Sequence, residues 1–125
     1  MSDQKIRVLI VDDHRETREQ LYNMLQLADG LEAVGHAGTG IQALDLARLH
    51  QPDVILMDVH LPGIDGVAAS QAILRAVPKT KIVMMSAEPD TDIQWGSMLV
   101  GASHFLTKPF SYKELVTTIE KVASA

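Results

Sequence analysis

Two kinds of apolar pattern alternate along the chain. The run Ile6–Val11 is apolar and rich in β-branched residues, which is typical of a strand buried on both faces. Four further runs predict strands, at Leu31–Ala37, 53–57, 80–86 and 103–107. Five segments carry apolar residues at helical spacing and predict helices, over 15–28, 41–50, 67–77, 92–100 and 111–122. Ser111 is placed to cap the last helix, whereas Gly96 weakens the fourth.

The alternation of strand and helix occurs five times, without an internal linker or repeat. Strands separated by helical segments predict βαβ units and a parallel sheet, and therefore an α/β fold. In open sheets of this kind, ligands bind beyond the carboxyl ends of the strands, where the strand order reverses. The residues that leave each strand are therefore the first candidates for function.

Polar side chains leave four of the five predicted strands. In chain order they are Asp12 and Asp13, then Asp58, Ser86 and Lys108, which precedes Pro109. Because parallel strands share one carboxyl edge, we expect three carboxylates, a hydroxyl and an amine to converge there.

Three clustered carboxylates repel one another and need a cation. Oxygen ligands suit Mg²⁺, Mn²⁺ or Ca²⁺, and a few carboxylates with retained water suit Mg²⁺ in particular. A carboxylate beside such an ion can attack a phosphoryl group and form an aspartyl phosphate. A lysine and a hydroxyl can bind the remaining phosphoryl oxygens.

Each of these residues also has an ordinary structural explanation. Asp12 or Asp13 can cap the following helix, Asp58 and Ser86 can stabilise turns, and Lys108 can be solvated. The joint pattern favours the phosphoryl site, because four strand ends carry complementary groups.

Composition narrows the class of protein. The chain has 125 residues, of which 46% are apolar and 22% charged, as expected for one globular domain. The net charge of −5 argues against nonspecific nucleic-acid binding. Cysteine is absent, so disulfides and thiolate metal sites are excluded. There is neither a signal-peptide pattern nor a membrane-spanning apolar run, and we therefore expect a cytoplasmic protein without membrane contacts.

Four segments together resemble a bacterial response-regulator receiver domain, of the CheY-like superfamily. They are "VLIVDDH", "PDVILMDVHLPGIDG", "IVMMSA" and "GASHFLTKPF", in that order and with fitting spacing. The resemblance implies a doubly wound, flavodoxin-like (βα)5 fold with a parallel sheet in the order 2-1-3-4-5 and helices on both faces. It implies one receiver domain over residues 1–125, without an output domain in this chain, that is not a turnover enzyme.

The resemblance also implies a role for each acid. Asp58 is similar to the phosphoacceptor, which takes its phosphoryl group from a sensor histidine kinase or a phosphotransfer protein. Asp13 is similar to the direct Mg²⁺ ligand, and Asp12 to a partner that acts largely through water. The backbone carbonyl of His60 resembles the third protein ligand, and Mn²⁺ is expected to substitute for Mg²⁺.

Other positions correspond to residues that contact the phosphoryl group and to an aromatic residue that moves after phosphorylation. Ser86 and Lys108 resemble the hydroxyl and lysine that contact the phosphoryl group, and the Lys108-Pro109 bond is often cis in this family. Phe105 occupies the position of the aromatic switch, whose ring follows the hydroxyl after phosphorylation. The alternative for Phe105 is an ordinary core residue. His60 and Glu88 stand at positions that tune dephosphorylation.

The partner surface is expected at the fourth helix, fifth strand and fifth helix. Trp95 lies in that fourth helix, either as part of an interface or packed over the sheet edge. The partner is an output domain or a downstream protein, and a phosphorylation-dependent homodimer is a further option. The segments around "VDDH" resemble receivers joined to helix-turn-helix transcription factors, whereas "FLTKPFSYKEL" favours receivers joined to pilus-assembly-type ATPases.

Other classes fit the pattern less well. An FMN-binding flavodoxin needs a phosphate-binding loop where Asp12 and Asp13 stand, and a haloacid-dehalogenase-type phosphatase needs a D-x-D motif there. A pseudo-receiver that acts only as an interaction module normally lacks part of the acid set or the lysine, and none is missing here. The five histidines have no metal-ligand spacing and are interpreted mostly as surface or loop residues: His14, His36, His50, His60 and His104.

Overall fold

The computed structural model describes residues 4–88 and 91–125, which form five consecutive β-α units. The strands are β1 (Ile6–Val11), β2 (Leu31–Ala37), β3 (Val54–Asp58), β4 (Lys81–Ser86) and β5 (His104–Thr107). The helices are α1 (Arg15–Leu27), α2 (Gly40–His50), α3 (Gly66–Ala76), α4 (Thr91–Leu99) and α5 (Tyr112–Ala123). Every predicted element is confirmed, with its ends shifted by no more than one residue. Pro89 and Asp90, between β4 and α4, lie outside the described residues.

The five strands form one parallel sheet in the order β2-β1-β3-β4-β5. The pairing is regular across the centre, where Leu9 pairs with Ile55 and Ile55 with Ile82. The strand order reverses between β1 and β3, so the crevice at their carboxyl ends is the expected ligand site of such a sheet. The sheet order implied by the resemblance is therefore confirmed.

Alternate residues of each central strand enter two separate cores. In β1, Leu9 and Val11 pack with α2 and α3 on one face. Val8 and Ile10 pack with α1 and α5 on the other face. Because β1, β3 and β4 are covered on both faces, their sequences are almost continuously apolar.

The starts of α5 and α1 differ in their capping. Ser111 accepts a hydrogen bond from the Glu114 N–H at 3.0 Å, which confirms it as the cap of α5. The N-cap residue of α1 is His14, and its side chain makes no capping hydrogen bond. Neither Asp12 nor Asp13 occupies the cap position, so helix capping does not explain this acidic pair.

Within the described residues, the helices are too short or too polar to cross a membrane.

Candidate functional site

Residues far apart in sequence meet at the carboxyl ends of β1, β3 and β5. The Lys108 Nζ atom lies 2.6 Å from Asp12 Oδ2 and 3.6 Å from Asp58 Oδ2. Both acids are buried, Asp12 completely and Asp58 with 5% of its surface exposed. The convergence predicted from the strand ends is therefore present for these three side chains.

Asp12 is held by a local network. Its Oδ2 atom accepts a hydrogen bond from Lys108, and its Oδ1 atom accepts one from the His14 backbone N–H at 2.9 Å. The Arg18 guanidinium donates to the Asp12 backbone carbonyl at 2.8 Å. A fully buried carboxylate is tolerated here because both of its oxygens and its backbone have partners.

Asp58 is the last residue of β3, and its buried carboxylate lies beside Lys108. Its Oδ1 atom accepts a hydrogen bond from the His60 backbone N–H at 3.1 Å. This bond holds the backbone of His60, whose carbonyl is a predicted metal ligand, close to the carboxylate.

Burial raises the pKa of Asp58. Desolvation is the largest cause, the Lys108 ammonium opposes it, and the negative charge of Asp12 adds to the rise. The His60 N–H favours the ionised form, while Asp13 disfavours it. A bound cation would favour the carboxylate in the same way as Lys108 does.

Gly66 allows α3 to begin directly against the backbone of Asp58. A Cβ atom on Gly66 would lie 2.1 Å from the Asp58 carbonyl oxygen and 2.8 Å from the Val59 Cα atom. The Gly66 N–H donates to the Val59 carbonyl at 2.8 Å, which closes the loop between β3 and α3. Only glycine permits this close approach, so Gly66, which the sequence pattern indicates only as a loop residue, is a positioning residue.

Asp13 and His14 complete the cluster at its solvent side. The His14 Nδ1 atom lies 3.0 Å from Asp13 Oδ1 and 3.4 Å from Asp12 Oδ1. Single ligand atoms from Asp12, Asp13, His14 and Asp58 all lie within 4.8 Å of one another. The predicted acid cluster is thus assembled, and it includes an imidazole that the sequence interpretation left outside the site.

The histidines need one correction. They are exposed or half-buried as predicted, but His36 and His104 lie in strands and His50 ends α2. His14 was missed because metal-ligand patterns search for paired histidines. Its only signal is its position directly after Asp12 and Asp13.

Ser86 lies at the same sheet edge, but its hydroxyl is engaged elsewhere. Its side chain is fully buried, its Oγ atom accepts from the Glu88 N–H at 3.0 Å, and it donates to the Glu88 carbonyl at 3.1 Å. The Ser86 carbonyl accepts from the Lys108 N–H at 2.8 Å, which ties the ends of β4 and β5 together. A phosphoryl contact from Ser86 therefore requires its hydroxyl to leave Glu88.

Phe105 and Trp95, two aromatic residues for which the sequence left alternatives open, differ in their burial. Phe105 is half-buried and packs against the core beneath α2 and α3. Trp95 keeps 64% of its surface exposed on α4, where it lines a shallow groove of about 390 Å³ with Thr91, Gln94 and Met98. This exposure favours the surface interpretation of Trp95 over packing across the sheet edge. The Lys108-Pro109 bond is cis, as the resemblance implied.

The donor set fits a divalent cation. The cluster holds three carboxylates, and the Lys108 ammonium contacts two of them, so negative charge is in excess among these side chains. Carboxylate oxygens in partial contact with solvent are typical ligands of Mg²⁺. The arrangement can therefore bind a cation beside a carboxylate that is able to act as a nucleophile.

Comparisons with known proteins identify a family model and relatives that match most of the chain. The family model described as "Response regulator receiver domain" matches residues 8–120. The chain is 39% identical over 117 residues to the response regulator GacA of Pseudomonas aeruginosa, covering 94% of this chain and 55% of that protein. It is 40% identical over 120 residues to the transcriptional regulatory protein PdtaR of Mycobacterium tuberculosis, covering 94% and 57%.

Solved structures show the same fold. The response regulator domain of Thermotoga maritima CheB superposes with a TM-score of 0.90 at 30% identity, covering 98% of both chains. The Vibrio cholerae chemotaxis protein CheY4 superposes with a TM-score of 0.86 at 32% identity, covering 94% of this chain and 98% of that one.

The chain spans a little over half the length of the curated relatives it matches, which are 54 to 57% covered. The match extends over nearly all of the sheet and includes every residue of the carboxyl-edge cluster. The chain therefore belongs to the response regulator receiver domain family of two-component signal transduction systems.

Proposed function

We propose that Asp58 accepts a phosphoryl group, in the presence of Mg²⁺, from a sensor histidine kinase or a phosphotransfer protein. The main supporting observation is a buried carboxylate whose Oδ2 atom lies 3.6 Å from Lys108 Nζ and within a cluster of further acids. In the transfer, a bond forms between an Asp58 oxygen and phosphorus while the phosphorus–nitrogen bond of the donor phosphohistidine breaks. The electron pair of that bond stays on the donor imidazole.

Asp12, Asp13, Asp58 and the His60 carbonyl are the residues that we propose hold the ion. When bound, Mg²⁺ supplies positive charge against the oxygens of the transferring group. Asp13 is the more accessible acid and is proposed as a direct ligand. Asp12 is already bonded to Lys108, which supports the proposal that it acts largely through water. Mn²⁺ also prefers carboxylate ligands and is expected to substitute.

Lys108 and Ser86 are proposed to receive the phosphoryl oxygens. The Lys108 ammonium bridges the space between Asp12 and Asp58, so a small movement brings it to a group on Asp58. The Ser86 hydroxyl would exchange its hydrogen bond with the Glu88 carbonyl for one with a phosphoryl oxygen. This exchange releases the Glu88 carbonyl and is the proposed first step of a switch that Phe105 follows.

The proposed output surface is formed by α4, β5 and α5. Trp95 and Met98 present apolar surface there, as expected for a site that an output domain or a downstream protein contacts. A phosphorylation-dependent homodimer would use the same surface. Trp95→Ala should leave labelling of Asp58 unchanged and weaken association with the partner or second copy, which sedimentation of the phosphorylated chain can measure.

We further propose that residues 1–125 form one receiver domain and that each domain takes up one phosphoryl group without acting as a turnover enzyme. The cytoplasmic location, the absence of direct nucleic-acid contacts and the identity of the output partner stay predictions. The alternative, a pseudo-receiver that only binds partners, is not favoured because Asp12, Asp13, Asp58 and Lys108 are all present.

Labelling with acetyl phosphate tests the proposal. With Mg²⁺, the intact mass of the wild-type chain should rise by one phosphoryl group, and chelation of the metal should prevent the rise. Asp58→Asn should abolish the labelling because the amide is not a nucleophile, whereas Asp45→Asn, on the exposed side of α2, should leave it unchanged. Equal labelling of Asp58→Asn and the wild type would contradict the assignment of the acceptor.

A further inference from the structure

We propose that His14 is a nitrogen ligand of this cation site, so that the site favours transition ions such as Co²⁺ and Ni²⁺ over Mg²⁺ more than an all-oxygen site would. His14 can act in this way only if the cation site of the proposed function exists. The inference adds a ligand of a different chemical class to that site and concerns the identity of the ion.

The distances around His14 match those between ligands that share one ion. With metal–ligand bonds of about 2.1 Å, neighbouring ligands of an octahedral ion are about 3 Å apart and opposite ligands about 4.2 Å. The His14 Nδ1 atom lies 3.0 Å from Asp13 Oδ1 and 3.4 Å from Asp12 Oδ1. All four side chains of the cluster have ligand atoms within 4.8 Å of one another, so small side-chain movements would bring the imidazole and the acids to a single ion.

The start of α1 holds the backbone of His14 in this place. The Asp12 Oδ1 atom accepts the His14 N–H, and the His14 carbonyl accepts the Arg18 N–H at 3.0 Å as the first bond of the helix. His14 occupies the N-cap position, yet its imidazole makes no capping bond. The ring is therefore not needed for the helix, and its Nδ1 atom faces the acids.

The chemistry of the imidazole determines which ions gain from it. Mg²⁺ prefers oxygen ligands, whereas imidazole suits transition ions, and affinity for such sites rises from Mn²⁺ through Fe²⁺ and Co²⁺ to Ni²⁺. The competing explanation is a simple hydrogen bond from His14 to Asp13. His14 is 72% exposed, and an exposed pair of this kind contributes little. In that case, removal of the ring would change the affinity for all ions by a similar small factor.

Metal titrations of His14→Ala distinguish the two explanations. At a pH where imidazole is neutral, we expect the affinity for Co²⁺ to fall by about tenfold or more, in line with the loss of one ligand contact. The affinity for Mg²⁺ should change by less than about twofold, because an oxygen-preferring ion gains little from the ring. His50→Ala, at the opposite edge of the sheet, is the matched control and should bind both ions as the wild type does.

Spectroscopy of the bound ion supplies a readout that is independent of phosphorylation. Electron spin-echo modulation of bound Mn²⁺ should show imidazole nitrogen coupling in the wild type and in His50→Ala, and none in His14→Ala. His14→Asn, which offers a favourable helix cap and an oxygen ligand, should bind Mg²⁺ as the wild type does and also lack the coupling. This second variant guards against loss of folding in His14→Ala.

The outcomes separate this inference from the proposed function. Mn²⁺ that binds the wild type, loses affinity in Asp13→Asn and shows no nitrogen coupling would overturn the role of His14 and leave the acid site intact. Equal changes for Mg²⁺ and Co²⁺ in His14→Ala would also overturn it. If the wild type bound neither ion and Asp58 took up no phosphoryl group, the proposed function would fail first, and the role of His14 with it.

Discussion

The carboxyl edge at β1 and β3 differs from α4 in how firmly it is held. At that edge, Asp12 and Asp58 are buried, and Lys108, Arg18 and His60 fix them by hydrogen bonds or charge. On α4, Ser97 is the buried residue among those described and Ile93 is partly buried, whereas Trp95, Met98 and Leu99 are exposed. Many contacts hold the carboxyl edge, whereas few buried contacts hold α4.

This difference corresponds to two separate tasks in the proposed function. Phosphoryl transfer needs a nucleophile and counter-charges at fixed distances, which buried networks provide. A switching surface needs to rearrange for little free energy, and elements with few buried apolar contacts open most easily. The same kind of substitution is therefore expected to destabilise the carboxyl edge and to stabilise α4.

Gly66→Ala should produce the largest effect on the carboxyl edge. The added methyl group would overlap the Asp58 carbonyl, where a Cβ atom lies at only 2.1 Å, so the backbone must shift. We expect a loss of about 3 kcal/mol in the free energy of unfolding, near the upper end for overpacking. Urea denaturation measures it, and wild-type stability in this variant would show that the edge is less rigid than its contacts indicate.

Lys108→Met should have the next largest effect. It removes the ammonium that contacts Asp12 and Asp58 and leaves the Asp12 carboxylate buried without this ionic partner. We expect a loss of roughly 2 kcal/mol, less than for a fully buried pair, because the Lys108 side chain is 21% exposed. Lys113→Met, on the exposed side of α5, is the control for loss of a lysine charge and should be close to neutral.

In the absence of divalent cations, Asp58→Asn should stabilise the fold, because it removes a buried charge that the other acids repel. The gain should be smaller than the loss in Lys108→Met, since Lys108 already offsets part of this repulsion. Desolvation raises the pKa of Asp58, so the native state holds this proton more tightly than the unfolded chain does. The protonated Asp58 carboxyl therefore contributes to the free energy of unfolding at low pH, and this contribution is lost as the pH rises through the raised native pKa.

An amide carries no charge at any pH, so the advantage of Asp58→Asn should be largest at neutral pH and should shrink on acidification below the native pKa of Asp58. Denaturant midpoints across this pH range measure the difference. Asp45→Asn serves as the control and should follow the wild-type curve. A gain for Asp58→Asn that is independent of pH would contradict the role of the buried charge.

Gly96→Ala should have the smallest effect, with the opposite sign to Gly66→Ala. A Cβ atom on Gly96 meets no atom within 4 Å, so the methyl group adds helix propensity without a clash. We expect a gain of about 0.5 to 1 kcal/mol in the stability of α4, seen as slower amide hydrogen exchange in that helix. If α4 must rearrange on phosphorylation, the same variant should respond more weakly to acetyl phosphate.

Much of the fold, and part of the candidate site, could be predicted from the amino-acid sequence. The order of all ten elements, and their ends to within one residue, could be predicted from the apolar pattern. Strands covered on both faces are continuously apolar, and helices covered on one face carry apolar residues at helical spacing. The convergence of Asp12, Asp58 and Lys108 also followed, since parallel strands bring their carboxyl ends to one edge. The elements depend on neighbours along the chain, and the convergence depends on the parallel sheet that alternating strands and helices predict.

Only the tertiary structure decided how the side chains are partnered. Lys108 is 96 positions from Asp12 and lies closer to it than to Asp58, which no local pattern encodes. The Ser86 hydroxyl is bonded to Glu88, Gly66 presses against the backbone of Asp58, and His14 joins the acids. Such choices depend on differences of a few tenths of an ångström in the positions of atoms, and the packing of the whole sheet sets these positions.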